Sequence, residues 1–183
     1  MNWTQQQWLK AALALLLTLG ILYAGQSMWR QQTTTRPLNN ALQHIDGVKK
    51  VICQDSGQPK NLLTLSVTLD PSANFQKTYV HIQQTAVRFL GNRPFRIRVE
   101  DRSTPELEQI DYRAQYYLQQ AIMTGNFPRM ADKIQEIASN AGVTAHVYVD
   151  SQAIYLQLAQ GDNSFYTLVP RQAVQGRQTH AIP

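Results

Sequence analysis

The sequence predicts an α+β domain carried behind one N-terminal transmembrane helix. Three observations predict it. An uncharged apolar stretch occupies residues 11–29. Beyond it, apolar residues recur at two periods: Leu63, Leu65, Val67 and Leu69 alternate as in a strand, while Leu107, Ile110, Ala114 and Leu118 follow helical spacing. Gly, Pro, Asn and Asp punctuate the segments between. Of 183 residues 43% are hydrophobic and 16% charged, an apolar share that supports a folded core and excludes a disordered chain.

The apolar stretch reads AALALLLTLGILYAGQSMW, and all three tryptophans, Trp3, Trp8 and Trp29, lie in or beside it. On a helix Trp8 and Trp29 would stand ~31 Å apart, close to the ~30 Å hydrocarbon core of a bilayer. Trp rings favour the two interfaces, and long basic side chains reach to them. Trp8, Lys10, Trp29 and Arg30 are therefore the expected interface residues, with the lipid bilayer as partner through residues 8–29. A cleaved signal peptide is the competing reading, but Ala24 and Gly25 make a poor cleavage site. Positive charges are near balance on the two flanks. A short tail before a first helix usually stays cytoplasmic, so the domain is expected outside the cytoplasm.

After the anchor, residues 1–30, a polar linker (31–36, QQTTTR) is expected to precede a soluble domain over 37–171 and a flexible tail over 172–183. The domain divides into sub-blocks 37–101 and 103–171. In the first, Pro37 opens a helix bearing Leu38, Ala41, Leu42 and Ile45, which Asp46-Gly47 ends. Val48 to Cys53 reads as a strand, Asp55-Ser56-Gly57 as a turn, and Leu63 to Leu69 as a half-buried strand. Asp70-Pro71-Ser72 opens a helix whose face carries Phe75, Tyr79, Ile82, Ala86 and Phe89. Phe95, Ile97 and Val99 alternate with Arg96 and Arg98 in a third strand. The order is αββαβ.

The second sub-block reads ααβββ. Ser103 with Glu106 fits a capping box. Leu107, Ile110, Ala114, Tyr117, Leu118, Ala121 and Ile122 share a face, and Gly125 stops the helix. Pro128 opens another, with Met130, Ile134, Ile137 and Ala141. Strands built on Val143 to Val149, Ile154 to Leu158 and Phe165 to Val169 are joined by short turns, which implies an antiparallel meander. The helices are expected to cover one sheet face, giving a sandwich. The outer face would carry Thr64, Ser66, Thr68, Arg96, Arg98, Tyr148, Tyr155 and Gln157.

The residues point to no familiar chemistry. None of His44, His81, His146 and His180 has metal-ligand spacing to another His or to the lone Cys53. Phosphate-loop, dinucleotide, nucleophile-elbow and zinc-helix motifs are absent, so no cofactor is expected. Glu100, Asp101, Glu106, Glu108 and Asp111 form the densest acidic cluster, read as charges gathered at a helix N-terminus. Sixteen of the 17 Lys and Arg lie at or beyond Arg30 with all 12 Asp and Glu. That mild basic excess has no basic-aromatic run, which excludes nucleic acid as a partner. Tyr112 and Tyr116 lie off the apolar face of their helix, four residues apart. With Arg96 and Arg98 they form the expected contact surface.

The order αββαβ, with Leu42-Gln43-His44-Ile45-Asp46-Gly47-Val48 running from helix to strand, resembles ring-building-motif domains of bacterial secretion, flagellar and sporulation-channel membrane proteins. The resemblance covers residues 37–101 and implies side-by-side packing in a membrane-bound oligomer. It assigns no site residues. The expected function is a membrane-anchored, non-catalytic interaction or assembly module of a bacterial cell envelope. The alternative is a tethered sensor or small-ligand-binding domain, which needs a pocket between sheet and helix. An enzyme would have to be built on Glu100, Asp101 and His81 or His146.

Overall fold

The computed structural model describes residues 36–56 and 62–171, together with Leu15 and Thr18. The expected tail and, apart from those two residues and Arg36, the expected anchor and linker lie outside the described residues. Among the described residues no helix is long and apolar enough to cross a membrane. The architecture from Arg36 onward is α+β, with four helices and two three-stranded sheets.

The first half runs α1 (Arg36–Gln43), β1 (Val48–Ser56), β2 (Leu62–Leu69), α2 (Phe75–Leu90) and β3 (Phe95–Glu100). β1 pairs antiparallel with β2, and β2 pairs parallel with β3, so α2 is the crossover between them. Alternation in β2 sends Leu63, Leu65, Val67 and Leu69 to the face covered by Leu38 and Leu42 of α1 and by Ile82 and Ala86 of α2. Gly47 turns the chain into β1 with φ +86°, and its carbonyl accepts from the Asp70 N–H at 2.9 Å. Asn74, not the Asp70-Pro71-Ser72 turn, caps α2: its side chain accepts from the Lys77 N–H at 3.0 Å. Leu90 is buried on α2, whereas Phe89 is exposed, because the last turn carries residue 89 past the edge of the apolar stripe.

The second half runs α3 (Pro105–Thr124), α4 (Phe127–Ser139), β4 (Thr144–Val149), β5 (Ala153–Gln160) and β6 (Asn163–Pro170). The strands form the expected antiparallel meander. Thr104, not Ser103, is the N-cap of α3, since its hydroxyl lies three residues before the Leu107 N–H it accepts from at 3.4 Å. Ser103 donates instead to Glu108 Oε1 at 2.8 Å. One face of this sheet packs through Ile154, Leu156 and Leu158 on Leu107, Leu118 and Ile134 of the two helices.

The other face of that sheet is covered too. Tyr155 and Gln157, expected on a solvated outer face, are 3% and 1% exposed. The first turns of α2 press against them. Phe75 meets Tyr79, Tyr155 and Tyr166 with ring centroids 5.9, 5.7 and 5.0 Å apart, and Tyr79 meets Tyr155 at 6.0 Å. β5 is thus buried on both faces, with α3 and α4 on one side and α2 on the other. Past the end of β3, Arg102 and Ser164 exchange both backbone hydrogen bonds, at 3.0 and 3.1 Å, and join the two sheets.

Candidate functional site

The Arg102–Ser164 pair is the vertex of a cleft. An antiparallel ladder starting there would next set Asp101 opposite Phe165 and Glu100 opposite Tyr166. No such ladder forms; β3 and β6 diverge. The space between them has a volume of about 490 Å³. Its walls are residues 97–101, residues 165–168, Phe75 and Tyr79 of α2, and Asp111 and Gln115 of α3. The volume falls within the range of small-molecule sites.

Two carboxylates stand in this cleft without cationic partners among the described residues. Asp101 Oδ1 accepts from the Tyr166 N–H at 2.9 Å, taking the place of the missing ladder carbonyl. Although Asp101 as a residue is open to solvent, burial of its carboxyl pushes the pKa up to about 6. The Tyr166 N–H opposes the rise; Glu100 and Asp111 add to it, and Arg98 lowers it. Asp111 Oδ1 accepts from the Thr167 hydroxyl at 2.6 Å, and both its oxygens lie 3.3 Å from the Gln115 amide nitrogen. Arg98 reaches Glu100 at 3.8 Å, so these two charges offset one another. Tyr166 is 8% exposed, its ring packed against Phe75 at 5.0 Å between centroids. Burial also raises its pKa.

The acidic cluster therefore splits. Glu106 and Glu108 lie in the first turn of α3, as helix-dipole charges should. Asp101 and Asp111 face the cleft. Sequence reasoning missed this because Thr167, the partner of Asp111, is 56 residues away. His81 and His146 are exposed and do not line the cleft, so the constellation of Asp101 with either His is not assembled. No group of three or more His, Cys, Asp or Glu among the described residues could hold a metal ion.

The expected contact surface is partly assembled. Tyr112 and Tyr116 are each 63% exposed; their hydroxyls lie 2.8 Å apart and their rings meet edge to face at 5.6 Å. Met123, 85% exposed, extends the same stripe of α3. Its spacing of seven from Tyr116 is the signal that could have found it. The tyrosines directly follow Asp111 and Gln115, which places the stripe about 100° around the helix from the cleft wall. Arg98 lines the cleft, but Arg96 does not. Arg96 is half-buried with its Nε shielded and unpartnered, so it is a poorer contact residue than an outer strand face implies. Trp8, Lys10, Trp29 and Arg30 lie outside the described residues.

No family model matches the chain, and no curated protein does. A solved structure, the pantoate-β-alanine ligase of Francisella tularensis complexed with β,γ-ATP and β-alanine, matches at 15% identity and a TM-score of 0.37. The match covers 61% of this chain and 44% of the ligase chain, so it spans less than half of the ligase. The expectation of a non-catalytic chain is corrected on this finding: the matching protein is an enzyme, and the exclusion of catalysis is not retained. A likeness this distant carries no reaction across to the chain.

Proposed function

We propose that this protein is a membrane-anchored interaction or assembly module of a bacterial cell envelope. It is tethered through residues 8–29, with its α+β domain outside the cytoplasm, and its copies pack side by side. The observation that carries the reading is the stripe of Tyr112, Tyr116 and Met123, three large side chains held in solvent along one helix. Exposed apolar surface of this kind is what a contact face requires. The element order of residues 36–100 supports it, being the order on which the resemblance to ring-building-motif domains rests.

The test uses the full chain in mild detergent and in its native membrane. Analytical ultracentrifugation should find concentration-dependent oligomers that Tyr112→Ser with Tyr116→Ser dissociates. A reporter fused after Pro183 should read outside the cytoplasm. A strictly monomeric chain at every concentration would count against assembly, and a cytoplasmic reporter would remove the envelope placement. A tethered small-ligand-binding domain is the second reading, favoured by the cleft between β3 and β6.

A further inference from the structure

The cleft at the junction has two uncompensated carboxylates and partly apolar walls. Glu100 and Arg98 cancel, which leaves Asp101 and Asp111 as the net charge. The hydrogen bonds they accept come from uncharged groups: a backbone N–H, a hydroxyl and an amide. Such donors satisfy a carboxylate's lone pairs but leave its charge in place. Val99, Phe165 and Leu168, all half-buried, supply apolar surface, and an aromatic ring such as Phe165 attracts cations.

We propose that this cleft binds a small organic ammonium compound, its N–H groups donating to the Asp101 and Asp111 carboxylates and its hydrocarbon body lying against Phe165 and Leu168. The inference rests on the reading of the cleft as a ligand site and adds the ligand's chemical class. The charge selects the head group. An anion would meet two carboxylates and be repelled, and a neutral alcohol would leave both charges unanswered. A bare metal ion would find too few ligands, since no cluster of three or more suitable side chains exists among the described residues. The apolar walls call for carbon attached to the nitrogen. The volume of about 490 Å³ sets the size at that of an arylalkyl or short alkyl amine.

The test measures binding of 2-phenylethylammonium to the full chain in mild detergent by calorimetry and ligand-observed NMR. The neutral analogue 2-phenylethanol and the anion phenylacetate serve as comparators. The amine should bind at least about tenfold more tightly than the alcohol, and the anion should not bind. Asp101→Asn, which keeps the oxygen that accepts from Tyr166, should weaken the amine about tenfold without weakening the alcohol. Lowering the pH from 7.5 to 5 should weaken the amine in the unaltered protein, since Asp101 is flanked by Glu100, Asp111 and Arg98 and gains its proton near 6. This second readout does not depend on a variant folding. Equal binding of alcohol and amine would keep the ligand site and overturn the ammonium class. Silence from all three compounds at about 10 mM would overturn both.

Discussion

Gln157 of β5 holds the first turn of α2 from both ends of its amide. Its Oε1 accepts from the Phe75 N–H at 3.3 Å, and its Nε2 donates to the Pro71 carbonyl at 2.7 Å. Gln157 is 1% exposed; its bond to Phe75 is buried, and its bond to Pro71 is part-buried. The N–H groups of a helix's first turn have no partners within the helix. Asn74 satisfies one from within the same half, and Gln157 satisfies another from the other half. The two sheets are thus registered on one another by a polar contact set inside the aromatic cluster of Phe75, Tyr79 and Tyr155.

Replacing that amide should be expensive. Gln157→Leu keeps the volume but leaves the Phe75 N–H buried and unpaired and removes the partner of the half-buried Pro71 carbonyl. We expect a loss of about 2–4 kcal/mol in urea unfolding of the full chain. A loss below about 0.5 kcal/mol would mean that water reaches those groups.

Gly47 gives a sharper steric prediction. Its φ is +86°, and a Cβ there would lie 2.5 Å from Ala73 Cβ and 2.7 Å from Thr78 Oγ1. Gly142 also has a positive φ, +67°, but a Cβ there would meet nothing within 4 Å. Gly47→Ala should therefore cost about 2–4 kcal/mol and Gly142→Ala about 1 kcal/mol. Thermal midpoints of the two variants, measured side by side, check the order.

Asp101 makes stability depend on pH. Its pKa rises from 3.8 to about 6 on folding, so the folded chain binds the proton more tightly than the unfolded one. The stability contributed by the protonated form is full below pH 3.8 and is lost as pH rises to about 6, with no further change above. Asp101→Asn should then be more stable than the unaltered protein at pH 7.5 and equal to it near pH 3.5. Solvent at this residue reduces the difference to about 1 kcal/mol. Unfolding curves at the two pH values decide it; a destabilised variant at pH 7.5 would show that the charged form is the one the fold favours.

Tyr112→Ser with Tyr116→Ser should separate association from folding. Both rings are largely in solvent and bonded to each other, so folding stability should change by less than about 0.5 kcal/mol per site. Association of the full chain should fall at least about tenfold, read by sedimentation alongside the melting curve.

Much of this was legible in the sequence because local periodicity encodes it. The αββαβ and ααβββ orders follow from apolar spacing and from glycines such as Gly125 and Gly142 placed past helix ends. What lay beyond reach was contact between the halves. Alternation correctly put Tyr155 and Gln157 on the face away from α3 and α4, but nothing in β5 says that α2 covers that face. Tyr155 is compatible with water or with a ring cluster, and only the docking of Phe75 decides which. Likewise Asp101 and Asp111 read as ordinary helix-start acids until β6 is brought beside them. The stripe is half visible: Tyr112 and Tyr116 stand out off the apolar face, whereas Met123 directly follows Ile122 of that face and is told from it only by its spacing of seven from Tyr116.

The Arg102–Ser164 pair also settles where the fold can be extended. Two separate three-stranded sheets would offer four free rims. That single pair sets β3 and β6 beside one another with their rims towards the cleft, and among the described residues it leaves β1 and β4 as the outward rims. Of the two outward rims, β1 has a register shift between Val48 and Lys50 and exposed Lys49 and Lys50, features that discourage templated strand addition. β4 has no register shift in its pairing with β5. Among the described strands, a neighbouring chain that adds a strand has its best template at Thr144–Val149.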